Sequence, residues 1–180
     1  MTDTEPLEAI LREMTQAVDA DLNLVALAVA AAIPAICASL AMPDGRSQGA
    51  QYEEWCRLNL YPDKGFDLIT PGEIYLMRCG LLHQDRVEIS HHKKGKLTPG
   101  ENLKGVVFAV DGPRMTNCRG DDQYIYSVRE FCENMAAATR DWLAKEQANP
   151  IVAGNLQSMM RYRPFSAPGF HFEAAPRAIS

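Results

Sequence analysis

A chain of 180 residues, 47% hydrophobic and 23% charged, suits one globular domain with a single sizeable core. Its formal net charge of −5 excludes a polybasic nucleic-acid coat, so any phosphate binding must come from a local basic patch. Five scattered cysteines, Cys37, Cys56, Cys79, Cys118 and Cys132, include no C-x-x-C pair and point to reduced thiols in a cytoplasm, not a disulfide framework.

The opening MTDTEPLEAILREM is acidic and lacks a basic segment followed by an apolar one, so a cytoplasmic protein is expected and not a secreted one. Leu7, Ile10, Leu11, Met14 and Val18 keep a helical spacing, with Pro6 in the first turn. The run LVALAVAAAIPAICASLAM, Leu24 to Met42, imitates a membrane span in length. It is largely alanine, which gains little in lipid, and it carries Pro34 and Ser39. A buried core helix from about Asp21 to Leu40 is expected, kinked or divided at Pro34, and no membrane partner. Tyr52, Trp55, Cys56 and Leu60 make a third amphipathic helix, ended before Pro62.

The fourth helix has a clear start. Thr70 is a cap, Pro71 fits the first turn, and Glu73 completes a capping box. Beyond Asp85, RVEIS (Arg86 to Ser90) and GVVFAV (Gly105 to Val110) read as two short strands around the polar loop HHKKGKLTPGENLK. Ser127 and Glu130 form a second capping box, opening a helix with the stripe Val128, Phe131, Cys132, Met135, Thr139 and Trp142. Asn149 and Pro150 start a last short helix carrying Ile151, Val152, Leu156 and Met159. These elements give a mainly α fold: a bundle of about five or six helices over residues 1–162, with a small two-stranded β insertion at about 86–111. Residues 163–180, rich in proline, are an arm or a disordered tail.

Within the fourth helix, EIYLMRCGLLHQ sets Arg78 and His83 in an otherwise apolar run. At about 100° per residue, Arg78 shares a face with Ile74, Tyr75, Leu81 and Leu82. His83 lies about 140° away, with Leu76, Cys79 and Gly80. Glu73, Met77 and Gln84 take a third direction. A helix apolar nearly all round is expected to be central, or caught between the core and a second subunit. One account of the two polar residues is structural: Arg78 pairs with a core carboxylate or carbonyls, and His83 caps the helix C-terminus. The other is chemical. Arginine offers a fixed fork of donors for a phosphodiester, and histidine moves protons near neutral pH.

RCGLLH, Arg78 to His83, resembles the R-x4-H signature of the HEPN superfamily, small all-helical proteins that include many metal-independent ribonucleases. IPAICASL (Ile33 to Leu40), YEEW (Tyr52 to Trp55) and YLMRCGLLH (Tyr75 to His83) together look like a group of uncharacterised bacterial HEPN-related proteins, a likeness running from about Leu7 to Trp142. The resemblance implies attack of an RNA 2′-hydroxyl on the adjacent phosphate, with His83 as general base or acid and Arg78 neutralising the phosphate. It needs no cofactor and no metal. It implies a toxin or defence role and a cognate antitoxin as a partner. A homodimer is expected from the helix itself: Arg78 and His83 point apart on one chain, and a two-fold partner would bring one towards the other and cover a second apolar face. Two features depart from the pattern. Cys79 follows the arginine where active members usually carry Asn, Asp or His, and the β insertion is not general in the superfamily. An inactive HEPN-like dimer that binds RNA or a partner protein is therefore the alternative.

Tyr75, Cys79 and Gln84 are the supporting residues. Tyr75, one turn before Arg78, either orients it or serves the core. Lys93, Lys94 and Lys96, with His91 and His92, form the only concentrated basic patch, read either as phosphate contacts or as a solvated hairpin tip. Cys79, His83, His91 and His92 also invite a zinc reading, which lacks a clear complete ligand set. No Gly-rich phosphate loop, G-x-S-x-G elbow or H-E-x-x-H motif points to another enzyme class.

Overall fold

The computed structural model describes residues 4–60, 66, 68–84, 105–110, 118–119 and 123–160. The strand expected at Arg86 to Ser90, the basic loop and the tail lie outside these residues. Six helices are described: α1 (Glu5–Asp19), α2 (Asn23–Leu40), α3 (Gly49–Asn59), α4 (Pro71–Gln84), α5 (Val128–Glu146) and α6 (Pro150–Ser158). Three strands accompany them: β1 (Gly105–Ala109), β2 (Cys118–Arg119) and β3 (Gln123–Ser127). The expected class, mainly helical with a small sheet, is the observed one.

Helix α2 is the centre of the bundle, packing against α1, α3, α4, α5 and α6. Its 18 residues have a mean hydropathy of 2.1, long and apolar enough to cross a membrane by length and composition. The protein itself covers much of it: Ala26, Leu27, Ala30, Ala31, Ile33, Pro34, Cys37, Ala38 and Leu40 are buried. Alanine contributes little transfer free energy per side chain, but its small size lets neighbouring helices approach closely. The helix runs through Pro34 as one element, undivided. Proline has no N–H to offer the Ala30 carbonyl one turn earlier. Side-chain hydroxyls bind other carbonyls of the same helix. Tyr52 Oη donates to the Ala31 carbonyl at 3.0 Å, Ser47 Oγ to Ala35 at 3.0 Å and Ser39 Oγ to Ile36 at 2.8 Å.

The opposite side of α2 meets α5. Trp142 of α5 packs edge-on against Trp55 of α3, with ring centroids 6.5 Å apart. Cys37, Cys56 and Cys132 are buried in this core. Burial pushes the Cys37 thiol up, with a hydrogen bond to Thr139 partly opposing it. Burial likewise raises Cys56, and it pushes Cys132 up to about 12. Unfolded thiols titrate near their ordinary value of 9.0, so the unfolded chain sheds these protons first. The stability they contribute is complete below about pH 9 and is lost as the pH rises beyond it. Thermal melting points should therefore fall steadily above that pH, while Ellman's reagent reacts slowest with these three thiols in the native state. A melting point flat into strong alkali would contradict this.

The described sheet has three strands, in the order β1, β3, β2. β1 pairs in parallel with β3, from Gly105 opposite Gln123 to Ala109 opposite Ser127, and β2 lies antiparallel on β3's other side. The β region therefore extends to Ser127, past the expected boundary at 111. Val106, Tyr124 and Tyr126 point into the core, and Val107 faces out. Phe66, Phe108, Phe131 and Tyr126 interlock with centroids 5.4–5.5 Å apart, fastening the sheet to α5. Ser127 closes β3 and caps α5, accepting from the Glu130 N–H at 3.4 Å. The reciprocal half of the expected box is absent: Glu130 Oε2 is buried without a hydrogen-bond partner. At α6, Asn149 accepts from the Ile151 N–H as expected, with Val152 and Leu156 buried but Ile151 exposed.

Candidate functional site

The capping box of α4 forms as its residues require. The Thr70 N–H donates to Glu73 Oε2 at 2.9 Å, and the Glu73 N–H donates to Thr70 Oγ1 at 3.2 Å. This fold-back corrects the expected orientation of the helix. Glu73, Ile74, Met77 and Leu81 form the buried face, because the box draws the Glu73 carboxylate inward and the apolar residues follow at helical spacing. The direction assigned to Glu73 and Met77 is thus the core direction, and α2, not α4, is the central helix.

The other side of α4 carries the candidate residues. Tyr75, Arg78 and Cys79 are half-buried, and Leu82 is exposed, so these four share the outward face. Helix α3 runs beside them. Gly49, its first residue, faces the Tyr75 ring so closely that a Cβ there would stand 3.0 Å from Cζ and 3.2 Å from Oη. Tyr52, one turn further on, packs its ring 5.3 Å from that of Tyr75 at 60°. Burial holds the Tyr52 phenol well above its ordinary value, and its hydroxyl stays a donor to Ala31.

Tyr75 lies within electrostatic reach of the Cys79 thiol one turn along the same helix. Its phenol is raised chiefly by burial and then by Cys79, while the positive charge of Arg78 pulls the other way. Arg78 therefore lies within electrostatic reach of both tyrosines. Its Nε is sealed from solvent and has no hydrogen-bond partner. The structural account, in which Arg78 pairs with core groups, is unmet at this nitrogen. A buried donor left unmatched costs about 1–3 kcal/mol, so Arg78 Nε calls for an explanation, as do Trp55 Nε1 and Glu130 Oε2.

His83 and Gln84 are the last two residues of α4; their side chains, and the expected phosphate contacts Lys93, Lys94 and Lys96, lie outside the described residues. Of the zinc quartet only the Cys79 side chain is described, and among the described residues no group of three or more His, Cys, Asp or Glu side chains is placed to hold a metal ion. The structure thus brings Tyr75, Arg78 and Cys79 together and adds Gly49 and Tyr52, which sequence spacing does not connect to them. Only the contact between α3 and α4 does so, and a glycine opening a helix carries no signal of what it faces. Compared with family models, with curated proteins and with solved structures, the chain matches none of them.

Proposed function

We propose that the chain is a metal-independent endoribonuclease of HEPN type, with Arg78 holding the scissile phosphate and His83 acting as general acid or base. The observation that carries this reading is the half-buried Arg78 on the outward face of α4, its Nε sealed and unmatched, five residues before a histidine on the same helix. Guanidinium is the side chain suited to neutralise a phosphate as charge builds on it, and an imidazole at that spacing supplies a proton carrier. Cleavage follows from attack of the 2′-hydroxyl on the adjacent phosphorus, the 5′-oxygen leaving with a proton.

A binding-only reading has its own support. Cys79 stands directly after the arginine, and a thiol is a weak hydrogen-bonding group, so no strongly polar side chain assists the phosphate at that position. Incubation of mixed RNA with wild type and with His83→Ala separates the two readings: only the nuclease makes cuts that the substitution removes. In both readings Lys93 and Lys94 supply phosphate contacts. Their joint replacement by alanine is expected to weaken RNA binding and to lower the slope of log affinity against log salt by roughly 0.7 per lost contact on a single strand. An unchanged slope would remove the loop from the interface. A toxin or defence role with a cognate antitoxin completes the proposal.

A further inference from the structure

Arg78 reaches its site from an unusual seat. Its Nε is closed to solvent and unmatched, while the residue as a whole keeps part of its surface exposed. One way for a guanidinium to grip an oxyanion is side-on, through Nε and one terminal nitrogen; the other is end-on, through Nη1 and Nη2. With Nε sealed, the side-on grip is closed. Beside it, Tyr75 is restrained on two sides. Its ring rests on the bare Cα of Gly49, where a β-carbon would press on it. Tyr52 flanks it at 5.3 Å and is itself tied to the α2 backbone. The tyrosine so restrained stands one turn before Arg78 on the same outward helix face.

We infer that Gly49 and Tyr75 are positioning residues that aim Arg78 outward, so that it takes a phosphate end-on through its two terminal nitrogens. The inference rests on the reading of Arg78 as the phosphate-holding group. Gly49 touches no ligand. It acts through the Tyr75 ring, because a β-carbon at that position forces the ring, and the space beside it, to shift by a few tenths of an ångström. Tyr75→Phe acts from the other end by removing the hydroxyl that stands against Gly49.

The test is a double-mutant cycle read by binding of a fluorescein-labelled oligouridine. Arg78→Ala is expected to weaken binding about tenfold or more, the loss of charge-assisted hydrogen bonds. Gly49→Ala, and separately Tyr75→Phe, should each weaken it about threefold in the wild-type background and not at all in the Arg78→Ala background. Melting temperatures of the same proteins distinguish a merely structural effect, which shifts stability equally in both backgrounds and leaves affinity alone. If Arg78→Ala weakens binding while neither Gly49→Ala nor Tyr75→Phe does, the positioning role is wrong and the phosphate reading stands. Equal losses in both backgrounds also overturn the role, since the residues then act independently of Arg78. If Arg78→Ala leaves affinity unchanged, the phosphate reading falls and the positioning role with it. Should Gly49→Ala not fold, the Tyr75→Phe half of the cycle decides alone.

Discussion

His83→Ala is expected to lower RNA cleavage by about 10²- to 10⁴-fold, the range a positioned proton carrier supplies. Arg78→Ala should cost about 10²- to 10³-fold, comparable to removal of one preorganised donor from a developing oxyanion. Wild-type cleavage should continue in EDTA and leave 2′,3′-cyclic phosphate ends, because the 2′-hydroxyl of the substrate is itself the nucleophile. The measurement is single-turnover cleavage of end-labelled RNA, with product ends resolved by their response to phosphatase. Two outcomes dispose of the mechanism: activity lost on chelation and restored by a divalent ion, or His83→Ala cutting at the normal rate. Arg78→Ala should melt near the wild-type temperature, since Arg78 lies outside the buried Ile74, Met77 and Leu81 face that holds α4 to the bundle.

Mixing the two dead proteins should bring activity back. On a regular helix Arg78 and His83 are separated by about 140° around the axis and ~7.5 Å along it. One chain therefore grips a single phosphate with both residues only awkwardly. An isologous dimer sets the same helix from two chains across a two-fold axis, where Arg78 of one protomer meets His83 of its partner. The half-buried Tyr75, Arg78 and Cys79 with exposed Leu82 give α4 an outward face that such a partner would cover. Unfolding and refolding Arg78→Ala together with His83→Ala forms heterodimers in half of the pairs, each with one complete site. Activity near roughly a quarter of wild type is expected on statistical pairing. If remixing restores nothing, or if the protein is a monomer in solution, the shared site is wrong.

Much of the fold was legible because helix termini carry local chemistry. Thr70, Pro71 and Glu73 announced α4, and Asn149 with Pro150 announced α6, since a cap is decided within one turn of chain. Strand β1 was legible from its β-branched run. Its partner was not: QYIYS runs straight into the cap of α5 without a turn signal, and the two strands pair in parallel across the intervening segment. The rotation of α4 was legible only in part. Its capping box is visible in Thr70 and Glu73, but in a helix apolar nearly all round the periodicity does not say which side meets the bundle; the fold puts Glu73, Ile74, Met77 and Leu81 there. At the candidate site, the R-x4-H spacing was visible on one helix. The seat of Tyr75 on Gly49 and Tyr52 was not, because it exists only where α3 and α4 touch.

The burial of α2 also has a consequence for biosynthesis. Its covering helices include α5, which begins at Val128 and leaves the ribosome long after α2 has emerged. During that interval the nascent chain displays an 18-residue segment of mean hydropathy 2.1 with only α1, α3 and α4 to shelter it. A segment of that length and apolarity is the kind of sequence that chaperones hold. Translation halted before α5 would therefore yield a sticky fragment and not a smaller folded protein. Arrest of synthesis late in the chain decides whether this helix is a core or a hazard.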